Sequence, residues 1–518
     1  METPPSPLAL FVRLALDPEK SRAPAFAWHS FERDPVTWSY ARTYRAAAAA
    51  AAKVSNVVGA RGAPPPKVSP LQTSPEHRAH CVGVFVSEGP GLLLLTLAVG
   101  LCGCAFVPLS KHDPPRRLAA AMRDAAVSLA VVDDDFAARR ARDALAILSR
   151  DETSGGTESD ALDVRVLNLS ELLDVGAFED ASSAESGDDA TRLKTETHAF
   201  PTETDALVLE LADLDLDACL ERHPDRVSHV FFTSGSTGTP KGCVATRSAL
   251  AWFAEGKKKT HELDFSSVVL VASPHVFDPS LGDFYASLAS GGCVALCPEA
   301  RLKNNLGLCL LKTKATHLTA TPTALGSIVL NENDDKESLD AKGDFKNAKE
   351  TSAFPYLRVV ALGGEPTPRS LADAWLGRVP VLANTYGVTE CCVYQTFSKM
   401  EINDPESRRR LGDAFPGARM IHAAPPGDDP ANEARVDETS SPDLSPLRVS
   451  RLPDDDAEPS EKSENDSSLA ELWLGGPQVG LGYAGDAKLT DVSFKVVLHA
   501  DGSKERLFRT GDITKLVP

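Results

Sequence analysis

The stretch Val-Phe-Phe-Thr-Ser-Gly-Ser-Thr-Gly-Thr-Pro-Lys-Gly, residues 230–242, is the most informative part of the chain. Residues 227–232 predict a strand that leads into the loop, buried at least at the consecutive apolar residues 230–232, and residues 245–254 predict a helix after the loop. Glycines let backbone N–H groups point at a ligand, hydroxyl groups add donors, and Lys241 adds a positive charge, a combination that suits a polyphosphate. A flexible linker is the common alternative for Gly/Ser-rich segments, but the flanking strand and helix argue against it. The stretch also differs from a P-loop, because Pro240 precedes the lysine.

Length, charge and cysteine content restrict the class of protein. A chain of 518 residues can form two or more domains. Its net charge of −19 argues against nucleic acid or an anionic membrane as a partner, since both favour a basic surface. The ten cysteines include no CxxC pair and the N-terminus has no signal-peptide pattern, so we expect a cytoplasmic protein with reduced thiols and no zinc. Glycines and a proline interrupt the apolar residues 92–109, which predicts a buried helix and strand rather than a membrane span.

Strand-like and helical segments alternate along much of the chain, which indicates an α/β fold with a mostly parallel sheet. Three polar, acidic stretches interrupt this pattern, near residues 151–189, 331–350 and 425–468. They contain too few apolar residues to form a core, so we interpret each as a solvated or disordered insertion.

Several further motifs follow one another in a fixed order. They are residues 97–100 with 104–109, Phe-Asp-Pro-Ser at 277–280, Leu-Gly-Gly-Glu at 362–365, Asn-Thr-Tyr-Gly-Val-Thr-Glu at 384–390, residues 470–483, and Phe-Arg-Thr-Gly-Asp at 508–512. Together with Thr-Ser-Gly-Ser-Thr-Gly-Thr-Pro-Lys-Gly at 233–242, they resemble the adenylate-forming, AMP-binding enzymes: acyl-CoA synthetases, luciferases and the adenylation domains of nonribosomal peptide synthetases. Two positions depart from the family pattern, with Ala470 in place of glycine and Phe508 in place of tyrosine.

The resemblance implies the large N-terminal part of such an enzyme. We expect two α/β subdomains over residues 1–411 and a distorted β-barrel over residues 412–518. The family also has a small C-terminal domain, whose lysine bridges the substrate carboxylate and the α-phosphate. The sequence up to Pro518 stops before that domain, so we expect a fragment, a truncated gene model or a domain completed by another chain, and poor adenylation by this chain alone.

The resemblance also implies a site for ATP and Mg²⁺. Glu390 would be the magnesium ligand, which suits a hard carboxylate, and Thr389 would donate its hydroxyl to the α-phosphate. Tyr386 would stack on adenine, and Asp512 would accept the ribose hydroxyls. The catalytic residues implied are Thr389, Glu390 and Lys241. The nucleotide-binding residues implied are Thr233, Ser234, Gly235, Ser236, Thr237, Gly238, Lys241, Gly363, Gly364, Glu365, Asn384, Thr385, Tyr386, Gly387 and Asp512.

Asp278 suggests the kind of substrate. In family members that activate amino acids, the aspartate of this motif pairs with the substrate's ammonium group, and a carboxylate in an apolar pocket is costly without such a cation. The Phe-Asp-Pro-Ser form is similar to that of aminoadipate-semialdehyde-dehydrogenase-like, β-alanine-activating proteins. A helix N-cap is the alternative role for Asp278. The other pocket residues implied by alignment are Pro279, Gly282, Val360, Leu362, Thr385, Val393 and Tyr394.

The expected function is therefore ATP-dependent activation of an amino acid as its aminoacyl-adenylate. In the family, the acyl group then passes to a thiol, either the phosphopantetheine arm of a carrier protein or coenzyme A. Two alternatives remain open: an acyl-CoA synthetase for a carboxylic acid without an amino group, and a nucleotide-binding module without turnover.

Overall fold

A computed structural model describes residues 2–59, 65–69, 71–72, 75–152, 164–174, 223–233, 240–328, 354–423, 448–451, 469–499 and 502–517. Residues 234–239 of the Gly/Ser-rich loop lie outside this range, as do the predicted insertions at 331–350 and almost all of 425–468. Within the predicted insertion near 151–189, residues 164–174 are described and form regular secondary structure, contrary to the prediction of a disordered segment. They form the edge strand Arg165–Asn168 and the short helix Leu169–Leu172, which begins with a capping box.

A nine-stranded sheet forms the larger α/β unit of the described chain, in the order β15-β14-β13-β12-β11-β9-β10-β1-β2. The six central strands from β1 to β13 run parallel, and β2, β14 and β15 are antiparallel to their neighbours. Because β12 and β13 are parallel neighbours, the residues that follow each of them in the chain lie at the same edge of the sheet. The strands are β1 Pro24–Trp28, β2 Val36–Ser39, β9 Val268–Leu270, β10 Cys293–Leu296, β11 His317–Ala320, β12 Val359–Leu362, β13 Val381–Tyr386, β14 Thr396–Lys399 and β15 Asp413–Ala414.

A second α/β unit contains six strands in the order β6-β5-β3-β4-β7-β8. The strands are β3 Cys81–Phe85, β4 Ala105–Pro108, β5 Val127–Val132, β6 Arg165–Asn168, β7 Val227–Thr233 and β8 Lys241–Thr246. Strand β7 agrees with the prediction, but the helix predicted over 245–254 begins later, because β8 pairs antiparallel with β7 across the loop. The Thr246 hydroxyl then accepts a hydrogen bond from the Ala249 N–H at 3.0 Å and caps the helix Arg247–His261.

The third sheet is antiparallel and lies in the region where a distorted barrel is expected. Four of its strands follow the order β16-β18-β20-β17, and β19 pairs with β20. The strands are β16 Arg419–Ala423, β17 Arg448–Arg451, β18 Leu469–Gly475, β19 Phe494–Leu498 and β20 Lys504–Val517.

Helices fill the space between the two α/β sheets, and one apolar cluster joins side chains of β3, α2, α3, α7, α8 and β12. The apolar residues 92–109 form helix α3 and strand β4, as predicted, and among the described helices none is long and apolar enough to cross a membrane. All described cysteines are free thiols, and all but Cys102 are buried. The helices are α1 Pro7–Leu16, α2 Tyr40–Gly59, α3 Pro90–Leu101, α4 Pro115–Asp124, α5 Asp135–Glu152, α6 Leu169–Leu172, α7 Arg247–His261, α8 Asp278–Ala289, α9 Glu299–Asn304, α10 Leu306–Thr313, α11 Pro322–Gly326, α12 Arg369–Trp375 and α13 Ala487–Ser493.

Candidate active site

A cavity of about 730 Å³ lies at the edge of the nine-stranded sheet where β12 and β13 end. This volume is within the range of about 300–1,000 Å³ that is usual for small-molecule sites. The predicted nucleotide-binding residues that line it are Gly364, Glu365, Asn384, Thr385, Tyr386, Gly387 and Asp512. The structure therefore brings the predicted adenosine-binding residues to one cavity.

Tyr386 and Asp512 join two sheets at this cavity. The Tyr386 hydroxyl, at the end of β13, donates a hydrogen bond of 2.5 Å to Oδ2 of Asp512 on β20. The Asn384 side-chain amide donates to the Arg410 carbonyl oxygen at 2.9 Å. Gly364 has φ +80°, a conformation that favours glycine and turns the chain beyond β12 along the cavity. The two hydrogen bonds and this turn fix the wall of the cavity.

Tyr483 contacts both Lys241 and Glu390, and no role was assigned to it from the sequence. Nζ of Lys241 lies 5.7 Å from the ring centroid of Tyr483, and the Tyr483 hydroxyl donates to Oε1 of Glu390 at 2.7 Å. Burial and the Glu390 carboxylate both raise the pKa of Tyr483, so its proton stays in this hydrogen bond. The Gly-Leu-Gly-Tyr segment that ends at Tyr483 belongs to one of the recognised motifs. Its place after the loop in the order of motifs could have identified this tyrosine as a site residue.

The residues near Glu390 fit a magnesium ion bound mainly by phosphate oxygens. Glu390 lies in the short 3-10 helix Thr389–Cys391, at the other end of the hydrogen bond from Tyr483. In the described residues, no three His, Cys, Asp or Glu side chains form a group that could hold a metal by themselves. Magnesium commonly uses one or two carboxylates together with substrate phosphates. The single carboxylate of Glu390 therefore suits this ion.

Asp278 is the first residue of helix α8, and the N-cap is Phe277. The N-cap alternative for Asp278 is therefore wrong. Its carboxylate is buried, with Oδ2 accepting a 3.1 Å hydrogen bond from the Val393 N–H. Val393 and the residue before it have φ values of +70° and +65°, which are unusual for residues with side chains. This backbone turn directs the Val393 N–H to the carboxylate.

Burial raises the pKa of Asp278 to about 6. The hydrogen bonds from the Val393 N–H and the Thr389 hydroxyl act in the opposite direction, and the charge of Glu390 raises the pKa further. These neutral donors therefore compensate the buried carboxylate only in part. A ligand cation would favour its ionised form.

The predicted pocket lining is wrong for Val360 and Leu362. Both side chains lie on the face of the nine-stranded sheet that packs against Trp375 and Leu310. Alternate strand residues face opposite sides, so Ala361 lies on the other face, in the cluster that contains Val393 and Tyr394. A side chain at Gly363, the next residue on that face, would collide with the Thr385 hydroxyl. The sheet wall of the pocket consequently consists of Ala361, Gly363 and Thr385.

The other predicted pocket residues converge near Asp278. Gly282 lies one helical turn further along α8, and a Cβ atom there would be 3.3 Å from Cγ2 of Val393. Tyr394 packs its ring on Phe253 of helix α7, with 4.9 Å between the ring centroids. Pro279 occupies the second position of α8 and is half-buried.

A buried ion pair between Lys257 and Asp283 packs against the ring of Tyr394, and it was not predicted from the sequence. Nζ of Lys257 contacts Oδ1 of Asp283, donates to the Thr319 hydroxyl at 2.9 Å, and lies 5.7 Å from the Tyr394 ring centroid. Burial lowers the pKa of Lys257, but the charges and hydrogen bonds of Asp283 and Tyr394 together outweigh it and the net shift is upward. The Tyr394 hydroxyl lies 3.1 Å from Nε2 of His261. Polar contacts therefore fix both the ring and the hydroxyl of Tyr394.

A family model described as AMP-binding enzyme matches residues 19–430. The chain belongs to the AMP-binding enzyme family. The match confirms the predicted family and the assignment to AMP-forming ligases.

Curated relatives include nonribosomal peptide synthetase agiA of Aspergillus flavus, 26% identical over 439 residues, which are 84% of this chain and 4% of that protein. The chain spans only 2–15% of the length of the curated relatives that it matches. The activities of these relatives are therefore properties of much longer proteins.

Two solved structures show the same fold. An artificially fused adenylation–PCP di-domain from Klebsiella oxytoca, NpsA-ThdA, superposes with a TM-score of 0.62 at 15% identity, over 100% of this chain and 79% of that chain. The Vibrio cholerae adenylation domain AlmE, in complex with glycyl-adenosine-5'-phosphate, gives a TM-score of 0.62 at 18% identity, over 99% and 78%. The fold is therefore that of the large N-terminal part of an adenylate-forming enzyme, as predicted.

Proposed function

We propose that the protein activates an amino acid with ATP, forming an aminoacyl-adenylate and pyrophosphate. The carboxylate of Asp278 carries this proposal, because it is buried, has a raised pKa and has only neutral hydrogen-bond donors among its described partners. An ammonium group of the substrate would supply the missing cation. The carboxylate of the same amino acid would then face the nucleotide, since Thr389 bonds Asp278 and lies next to Glu390.

Different residues around the cavity would act on different parts of the substrates. Tyr386 and Asp512 would hold the adenosine, with Asp512 accepting from the ribose hydroxyls. Thr233, Lys241 and the loop between them would bind the departing phosphates, and Thr389 would donate to the α-phosphate. Magnesium held by Glu390 would neutralise phosphate charge. Together these groups would align the carboxylate oxygen with the α-phosphorus.

We extend the proposal to the acceptor. The adenylate would pass its acyl group to a thiol, on a carrier protein or on coenzyme A. The nonribosomal peptide synthetases among the curated relatives support a carrier. The glycyl adenylate bound to the similar Vibrio domain supports an amino acid substrate.

Binding of adenylate mimics tests the function without requiring turnover. We expect glycyl-sulfamoyladenosine to bind more tightly than AMP and than acetyl-sulfamoyladenosine, measured by isothermal titration calorimetry on the full chain. Equal affinity for the glycyl and acetyl compounds would favour the alternative, a ligase for acids without an amino group. Failure of both compounds to exceed AMP would contradict adenylate formation at this site.

The raised pKa of Asp278 predicts a pH dependence. Below pH 6 this carboxyl is largely neutral and cannot pair with an ammonium group, whereas above pH 6 it is ionised. The affinity for glycyl-sulfamoyladenosine should therefore increase about tenfold from pH 5 to pH 7, the effect of ionising one group over that range. Acetyl-sulfamoyladenosine is the control and should show no such increase. A flat profile for the glycyl compound would mean that Asp278 does not contact the ammonium group.

A further inference from the structure

We propose that the acyl pocket selects amino acids whose side chain is no larger than a methyl group, such as glycine, alanine or an unsubstituted β-amino acid. This inference rests on the proposed function and names its substrate class. It depends on Phe253 of helix α7, a residue outside the sequence motifs. Phe253, Tyr394, Val393 and Thr385 together close the space beyond Asp278.

Phe253 occupies the space left by the missing side chain of Gly282. A Cβ atom at Gly282 would lie 2.5 Å from Cε1 and 2.9 Å from Cζ of the Phe253 ring. Real non-bonded carbon atoms keep about 3.5–4.0 Å apart, so the ring already touches the glycine backbone. A glycine in the wall of a pocket usually gives room to a ligand, but here the protein fills that room itself.

Aromatic packing holds Phe253 in this position. The ring is fully buried, meets Tyr394 edge-to-face at 4.9 Å and lies 6.0 Å from the ring of Phe415. Tyr394 and Phe415 are also in contact, at 5.4 Å between centroids. Each of the three rings blocks the movement of the other two, as expected for a densely packed interior.

Tyr394 cannot easily turn aside for a larger substrate. Its ring lies over the ammonium group of Lys257, which is buried with Asp283, and its hydroxyl lies 3.1 Å from Nε2 of His261. Moving the ring would expose this ion pair to an apolar ligand and break the hydroxyl contact, which is costly in a buried site. The Tyr394 ring therefore forms a rigid wall close to Asp278.

The sheet side of the pocket is also closed. The Thr385 hydroxyl donates to the Leu362 carbonyl oxygen at 3.0 Å and fills the space beside Gly363. The cavity of about 730 Å³ includes Thr385 but is lined by none of Asp278, Gly282 and Tyr394. This cavity therefore lies on the nucleotide side of Thr385.

A series of aminoacyl-sulfamoyladenosines tests the size limit by calorimetry. We expect the glycyl, alanyl and β-alanyl compounds to include the tightest ligands, and the leucyl and phenylalanyl compounds to bind about 10- to 100-fold more weakly. That range corresponds to forcing extra carbons into a packed site. Equal binding of leucyl and glycyl compounds would overturn the size limit while leaving amino acid activation intact. If no aminoacyl compound exceeded AMP, the proposed function itself would fail.

The variant Phe253→Leu tests the residue held responsible. It opens space beside Gly282, so the leucyl compound should gain about tenfold in affinity relative to the glycyl compound. Phe11→Leu is the matched control, because Phe11 is also a fully buried ring but packs on Tyr40 of another helix. The control should lose similar stability in a thermal melt without any change of selectivity. Unchanged selectivity in a folded Phe253→Leu protein would remove Phe253 as the determinant.

Discussion

Replacing Lys257 with methionine is expected to lower the free energy of unfolding by about 3–5 kcal/mol, the cost of leaving one charge of a buried ion pair without its partner. Lys257 and Asp283 are almost completely buried, with side-chain exposures of 1% and 0%. Methionine has a similar length and is apolar, so the main loss is the cation beside Asp283. Denaturation by guanidinium chloride, followed by circular dichroism, measures the change.

Lys259→Met is the matched control on the same helix. Lys259 pairs with Glu255 at 3.0 Å, but its side chain is 60% exposed. An exposed pair of this kind contributes about 0–1 kcal/mol, so the control should be nearly as stable as the original protein. Similar small losses in both variants would contradict a supporting ion pair beneath Tyr394.

Changing Asp512 to alanine should weaken ATP binding by about 1.5–3 kcal/mol, or roughly 10- to 150-fold, the range for hydrogen bonds to a charged group. Asp512 lines the large cavity and accepts from the Tyr386 hydroxyl, so its carboxylate is fixed in the cavity where we propose that ribose binds. Calorimetry with ATP measures the loss.

Two variants show whether that loss is specific. Asp491→Ala removes an exposed carboxylate on helix α13 and should leave ATP affinity unchanged. Tyr386→Phe removes the hydroxyl bonded to Asp512 but keeps the ring, so it should weaken ATP binding less than Asp512→Ala. Equal ATP affinity in the original protein and Asp512→Ala would refute the assignment of Asp512 to the ribose.

Much of the fold could be predicted from sequence because buried parallel strands leave continuous apolar runs. Strand β7 contains such a run at residues 230–232, and its predicted extent of 227–232 agrees with Val227–Thr233. Strand β8 was not predicted, and its last two residues were assigned to the following helix, because its pairing with β7 across the loop leaves no local signal. The apolar residues at 164–174 were included in an insertion because the acidic composition around them dominated the interpretation.

In the site, too, residues in one contiguous motif could be predicted from sequence, whereas contacts between distant segments could not. Residues 384–387 are contiguous, so their common position at the cavity follows once the motif is recognised. Val360 and Leu362 were misplaced because a shift of one residue along a strand exchanges its two faces, and the sequence alone does not fix which face lines the pocket. Lys257 and Asp283 are 26 positions apart on two helices, and neither lies in a pattern that predicts the pair.

Selectivity for the ammonium group at Asp278 tests the central claim most directly. Glycyl- and acetyl-sulfamoyladenosine differ mainly by that group, and Asp278→Asn removes the charge while keeping the size of the side chain. The original protein should prefer the glycyl compound by about 10- to 150-fold, and the Asn variant should lose this preference while binding AMP and the acetyl compound unchanged. If Asp278→Asn retained the full preference for the glycyl compound, another group would recognise the substrate and the proposed amino acid site would be wrong.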